Sequence, residues 1–229
     1  MVFLKARSLC SRGNPAGRCD LLGRIWVKAR LTKGEIKRGP DPIGLAHMSQ
    51  DLPNLIWVDC EMTGLDINKD ALVEIAVLVT DAQLNVLGEG VDLVIKCDQS
   101  KLDGMDEVVK TMHANSGLIN EIPNGTTLEK ADEAIIAYLK RYAPAAGKSP
   151  LAGNSVYVDR SFIARDLPLL NAYLHYRTID VSTIKELARR WHPKTYFAAP
   201  PKDGNHRALG DIRDSIAELD YYRSAIFLP

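Results

Sequence analysis

Apolar residues fall along this chain in two kinds of block, and the kinds change near residue 100. The first blocks are short and nearly continuous. Leu55–Met62 and residues 71–80 (Ala-Leu-Val-Glu-Ile-Ala-Val-Leu-Val-Thr) are rich in Val and Ile, the pattern of strands buried on both faces. Residues 81–85 make a turn, and residues 86–96 supply a third strand, antiparallel through so short a connection. Beyond residue 106 the spacing becomes helical. Residues 107–112 and 117–121 predict short helices around a polar segment at 113–116. Leu128–Tyr142 predicts a longer helix capped by Thr126 or Thr127, with Ile135, Ile136, Leu139 and Tyr142 at helical spacing. Short strands at 151–153 and 178–181 alternate with helices at 159–167, 187–191 and 207–225. Thr183 and Glu186 suggest a capping box for the second of these helices, Pro193 ends it, and residues 195–205 read as a loop. Three strands followed by alternating elements give an α/β domain whose mixed central sheet is flanked by helices.

Charge modifies this picture at the N-terminus. The 29 Lys/Arg balance 29 Asp/Glu overall, yet residues 1–47 hold ten basic against three acidic residues, about +7, leaving about −7 on residues 48–229. The basic stretch has no sustained period and reads as disordered. It is open to three origins: a tail, an organellar presequence, or sequence upstream of a start at Met48. We expect the third, which makes 48–229 the functional domain and the cytoplasm its compartment. Cys10, Cys19, Cys60 and Cys97 have no metal-binding or disulfide spacing and suit a reducing environment. No apolar run approaches the roughly 18 residues of a membrane span. An acidic body is poorly suited to long duplexes, which are held by broad basic surfaces; a short anionic substrate gripped locally by metal escapes that requirement.

Candidate chemistry starts at the end of the first strand. Asp59 and Glu61 are two apart, so both side chains leave one face, and two acids there need a cation. Asp159 follows a turn at a helix start, where the dipole favours a carboxylate. Asp211 sits in the final helix. His206, five positions earlier, would lie roughly 140° around a continuous helix, so it is expected on a mobile loop ahead of it. Four carboxylates suit a pair of magnesium or manganese ions, and a neutral histidine can take a proton from an attacking water. Each residue alone is ordinary: most helix aspartates face solvent, and most loop histidines are merely exposed.

The blocks taken together are more specific. Asp59-x-Glu61-Met-Thr-Gly-Leu65, Gly153-Asn-Ser-x-x-x-Asp159, His175-Tyr-Arg-Thr-Ile-Asp-Val-Ser182, Lys185-Glu-Leu-Ala-Arg-Arg-Trp191 and His206-Arg-Ala-Leu-Gly-Asp211 resemble, in order, the oligoribonucleases. These are DEDDh-type 3′→5′ exonucleases of RNase H-like fold. The resemblance covers residues 51–226. It implies a two-metal hydrolase that trims single-stranded RNAs of about two to five nucleotides, dinucleotides above all, to 5′-monophosphates. Asp59, Glu61, Asp159 and Asp211 fall on its metal-ligand positions and His206 on its general base. Leu65 matches an apolar wedge between bases. Ser155, Arg177, Ser182 and Lys185 match a cap on the substrate's 5′ phosphate, and His113 a base contact. The family forms homodimers in which Tyr176 reaches the partner's site.

Ser182 fits such a cap on physical grounds as well, because a helix N-terminus attracts phosphate and Arg177 can fork onto it. Two positions depart from the family pattern: Val108 replaces a common Trp ahead of His113, and Tyr157 replaces Gly two residues before Asp159. Two other readings stay open, an exonuclease for longer or structured RNA on the same fold and an oligonucleotide-binding protein that no longer cuts.

Overall fold

The computed structural model describes residues 52–201 and 206–227. The basic leader expected over residues 1–47, and residues 202–205 of the expected loop, lie outside the described residues. A five-stranded sheet organises the rest, in the order β3-β2-β1-β4-β5. β1 (Leu55–Met62), β2 (Leu72–Thr80) and β3 (Val86–Val94) form an antiparallel meander. β4 (Leu151–Gly153) and β5 (Thr178–Asp180) add on parallel to β1. The nine residues of β2 are all buried, as expected of a strand covered on both faces.

Alternation along β1 splits the core into two layers. Ile56, Val58, Cys60 and Met62 face one way and pack with Ile135 and Leu139 of α4 (Leu128–Tyr142), Phe162 and Ile163 of α5 (Tyr157–Asp166) and Leu170 of α6 (Pro168–Tyr173). Trp57 faces the other way and joins Leu78, Ala152, Val181, Ala208, Ile212 and Ile216. The last three lie on α9 (Ala208–Ile226), and Val181 opens α7 (Val181–Trp191). Ahead of α4 stand α1 (Gln99–Asp103), α2 (Glu107–Asn115) and α3 (Leu118–Glu121), with α8 (Pro193–Phe197) between α7 and α9.

Several expectations change in detail. α1, α6 and α8 carry no strong period and were not anticipated. The polar segment at 113–116 is not a break: α2 runs on to Asn115 and buries His113 completely. The capping box at Thr183 is replaced by Asp180, whose carboxylate accepts from the Ser182 amide at 2.9 Å, so α7 begins six residues earlier than expected. Glu186 turns instead to Arg189 and Arg190. Thr127 does cap α4, accepting from the Lys130 amide. Among the described residues, no helix is long and apolar enough to cross a membrane.

Candidate active site

The alternation that buries Ile56 and Val58 on one side sends Asp59 and Glu61 to the side covered by α9. Across the ladder Asp59 is paired with Ala76 and Glu61 with Glu74. A methyl group beside Asp59 leaves open space over the sheet, and the first turn of α9 brings Asp211 into it. Carboxylate oxygens of Asp59, Glu61 and Asp211 all lie within 4.8 Å of one another. Asp159, in the first turn of α5, comes from the opposite direction; its Oδ1 accepts the Cys60 amide at 2.9 Å, between the two β1 acids. Three of the four expected metal ligands thus cluster at one strand end, and Asp159 stands outside that group, held to the strand by the Cys60 amide.

Such proximity is electrostatically unfavourable without a cation. Burial, with added repulsion from Asp159, Asp211 and Glu61, raises Asp59 well above the usual carboxylate range. Burial and then Asp211 push Glu61 up to about 8, and burial lifts Asp159 to about 6. Hard oxygen donors so arranged fit a hard divalent cation, whose charge would remove the repulsion. A pH dependence follows. Between an unfolded value near 4.5 and about 8, the metal-free fold keeps a proton on Glu61 that the unfolded chain has released, so stability falls as pH rises. Melting in chelator is expected to drop by about 5 °C or more from pH 5 to pH 8, and saturating Mg²⁺ to restore it most at pH 8. A metal-free melting temperature that rises over this range contradicts the arrangement.

The flank of the cluster holds residues not anticipated from sequence. Glu74 is wholly buried beside Glu61 and meets the Arg207 guanidinium at 2.8 Å and the Ala208 amide at 3.2 Å. Arg207 also forks onto Glu121 at 2.9 and 3.1 Å, tying α9 to β2 and α3. A single acid inside the otherwise apolar β2 run was the available signal, and Arg207 adjoins His206. His206 itself is exposed, just ahead of the helix, with φ of 51°, a left-handed backbone uncommon outside glycine. On the other side, His113 Nε2 donates to the Met62 carbonyl at 2.9 Å, while Nδ1 stands 3.9 Å from Glu61 and has no hydrogen-bond partner. Its ring has no exposed surface for a base to stack on, so as placed it backs Glu61.

Comparison with known proteins places this chain in a family. The RNase T exonuclease family model matches residues 56–219. Curated oligoribonucleases from Streptomyces avermitilis and Leifsonia xyli are 59% and 55% identical, covering 76% and 79% of this chain and 88% and 87% of theirs. The chain belongs to the oligoribonuclease family. It is therefore a metal-dependent 3′→5′ exoribonuclease, and the non-cutting reading falls away. Solved structures support the fold: Escherichia coli exonuclease I bound to single-stranded DNA aligns with a TM-score of 0.60 at 15% identity over 76% of this chain. A thermophilic exonuclease I from Methylocaldum szegediense gives 0.57 at 21% identity. The chain spans 41% of the length of either one.

In this oligoribonuclease the residues expected to cap a 5′ phosphate are only partly gathered. Ser155 and Ser182 hydroxyls lie 3.1 Å apart, and the Ser155 amide donates to both Ser182 Oγ and Asp180. Ser182 Oγ donates to Asn154, whose amide reaches Ser215 and Glu218 on α9. Ser155 holds φ of 52°, strain of the kind concentrated at functional turns. Lys185, one turn along α7, pairs with Glu218 at 3.1 Å. Arg177 stays apart, its guanidinium 5.4 Å from the centre of the exposed Tyr176 ring. Leu65 is 74% exposed on the turn after β1. That turn needs Gly64, since a Cβ there would lie 2.4 Å from Asp70, whose carboxylate accepts the Asp66 amide. Val108 is exposed on α2, where it offers no aromatic face.

Proposed function

We propose that this oligoribonuclease finishes RNA breakdown by removing 3′ nucleotides from single-stranded RNAs of about two to five residues, dinucleotides above all. Two divalent cations, Mg²⁺ or Mn²⁺, would be held by Asp59, Glu61, Asp159 and Asp211. The observation that carries this reading is the closeness of cap and carboxylates. Ser155 and Asp159 are four positions apart in one segment, so their Cα atoms are separated by at most about 14 Å. A substrate gripped at both points is necessarily short.

Bound cations would neutralise the phosphodiester and acidify the attacking water. The protein's own groups do the rest. His206 takes the proton from that water as general base. Leu65 separates the bases, buried His113 backs Glu61 and makes no base contact, and Ser155, Ser182 and Lys185, with Arg177, bind the 5′ phosphate. The products are 5′-mononucleotides. In a homodimer Tyr176 serves the partner's site. Exposed Trp191 and Phe227, which line an apolar groove with Ile184 and Leu187, support such pairing. Free Cys60 and Cys97 suit work in the reducing cytoplasm.

The test is a length series: RNAs of two, five and twenty residues with and without Mn²⁺, on wild type and His206→Ala. The dinucleotide should be cut at least about tenfold faster than the 20-mer. The histidine variant should lose about 10²–10⁴-fold, the usual range for a general base. Removing the 5′ phosphate, or Ser182→Ala, should slow the dinucleotide by about tenfold or more, as expected for lost hydrogen bonds to a charged group. Preference for the 20-mer overturns the reading.

A further inference from the structure

Asn154 joins the two halves of the site. It follows β4 directly and bonds to Ser182 on one side and to α9 on the other. Asp211, Ser215 and Glu218 stand four and three positions apart along α9, the spacing of a single helix face. Ser215 and Glu218 are both buried, so water does not compete for their bonds to Asn154.

Hydrogen-bond chemistry fixes which way the Asn154 amide points. Glu218, a carboxylate paired with Lys185, can only accept, and it takes an Nδ2 proton at 3.2 Å. The Ser215 hydroxyl donates to the Asp211 carbonyl at 2.8 Å, so it accepts from Nδ2 at 2.7 Å. Both amide protons are thereby spent on α9. Oδ1 is left facing Ser182, whose hydroxyl donates to it at 3.0 Å. With that proton committed, Ser182 Oγ accepts the Ser155 amide at 2.9 Å. The result is a one-way chain from Ser155 through Ser182, Asn154 and Ser215 to the backbone of Asp211. A flipped amide would set oxygen against the Glu218 carboxylate and leave the Ser182 proton without an acceptor, so one arrangement prevails.

We propose that Asn154 is a positioning residue for the phosphate cap, holding the Ser182 hydroxyl at a fixed place relative to the helix that carries Asp211. The inference rests on the cap reading above and deepens it. A cap already ordered by buried bonds has little ordering left to do when the 5′ phosphate arrives. Asn154 therefore acts on substrate through that phosphate alone. It gives a 5′-phosphorylated dinucleotide its advantage over one that ends in a hydroxyl.

The experiment compares kcat/KM for dinucleotides with and without a 5′ phosphate in wild type, Asn154→Ala, Ser215→Ala and Ser182→Ala. The phosphorylated-to-unphosphorylated ratio should fall about tenfold in Asn154→Ala, as for a displaced hydrogen bond to a charged group, with the unphosphorylated rate kept within about twofold. Ser215→Ala, which leaves Glu218 alone to hold the amide, should lower the ratio about threefold. The Asn154→Ala/Ser182→Ala double variant should have a ratio no lower than Ser182→Ala alone, because the two residues act as one unit. A loss shared equally by both substrates overturns the inference, since an asparagine that served the fold alone would slow both. So does an unchanged ratio in the Asn154 and Ser215 variants, or additive losses in the double variant. Ser182→Ala separates the two levels. If it lowers the ratio while Asn154→Ala does not, only the role of Asn154 fails; if it leaves the ratio alone, the cap reading itself fails.

Discussion

Asp211→Asn is expected to lose at least about a thousandfold in kcat, roughly 4 kcal/mol of barrier, while its metal-free fold becomes more stable. Both effects have one cause. Asp211 brings the third carboxylate within 4.8 Å of Asp59 and Glu61, and its charge is the largest repulsion, after burial itself, acting on Glu61. Asparagine keeps the shape and removes that charge. The proposed metal site would lose an anionic ligand, whereas the metal-free protein would be relieved of strain that stability would not select. Turnover of a dinucleotide and melting in chelator at pH 8 measure the two sides. A variant that keeps its rate, or that melts lower than wild type in chelator, is incompatible with this assignment.

Arg207→Ala should cost about 3 kcal/mol, an unfolding shift of roughly 6–12 °C for a domain of this size. The residue is the cation for Glu74, a carboxyl with no exposure, and it holds Glu121 in the same fork. Burial pushes Glu74 up, and the Ala208 amide and Arg207 pull it back. Without the guanidinium, Glu74 must stay charged and unpaired or take a proton, which keeps the loss near the lower end for a broken buried pair. The deficit should therefore shrink as pH falls from 7.5 towards about 4.5, because Glu74 in the folded variant takes up a proton over this range while the unfolded chain stays charged until about pH 4.5. Arg207→Lys should recover only part of it, since an ammonium cannot fork onto both acids. Chemical denaturation at pH 7.5 and pH 4.5 checks both statements, and an equal loss at the two pH values would falsify the paired-charge account.

What could be read from residues alone followed the strength of each local pattern. β1, β4 and α4 were delimited as found, because a buried apolar run or a capped amphipathic stretch declares its own ends. The carboxylates were legible for the same reason: alternation fixes the face of Asp59 and Glu61 without knowledge of the fold. Asp180 was hidden by the more familiar Thr183–Glu186 pattern, since a cap is settled by which residue leaves helical geometry, and that depends on β5. The Arg207–Glu74–Glu121 fork spans residues 133 and 86 positions apart, and no local rule pairs them. His113 misled in the opposite way. A polar residue in a polar stretch looks exposed, yet the turn of α2 carries it inward behind Glu61.

The chain positions of the four carboxylates also tie the site to the covering of the sheet. Asp59, Glu61 and Asp159 precede α9 in the chain, while His206 and Asp211 arrive with it. The same helix covers Trp57, Ala76 and Leu78. A chain cut ahead of residue 206 has neither the Asp59–Glu61–Asp211 cluster nor a covered sheet face. Docking of α9 thus completes the acidic cluster and covers the sheet face in one step. Loss of the final helix would therefore remove Asp211 from the cluster and expose apolar surface together.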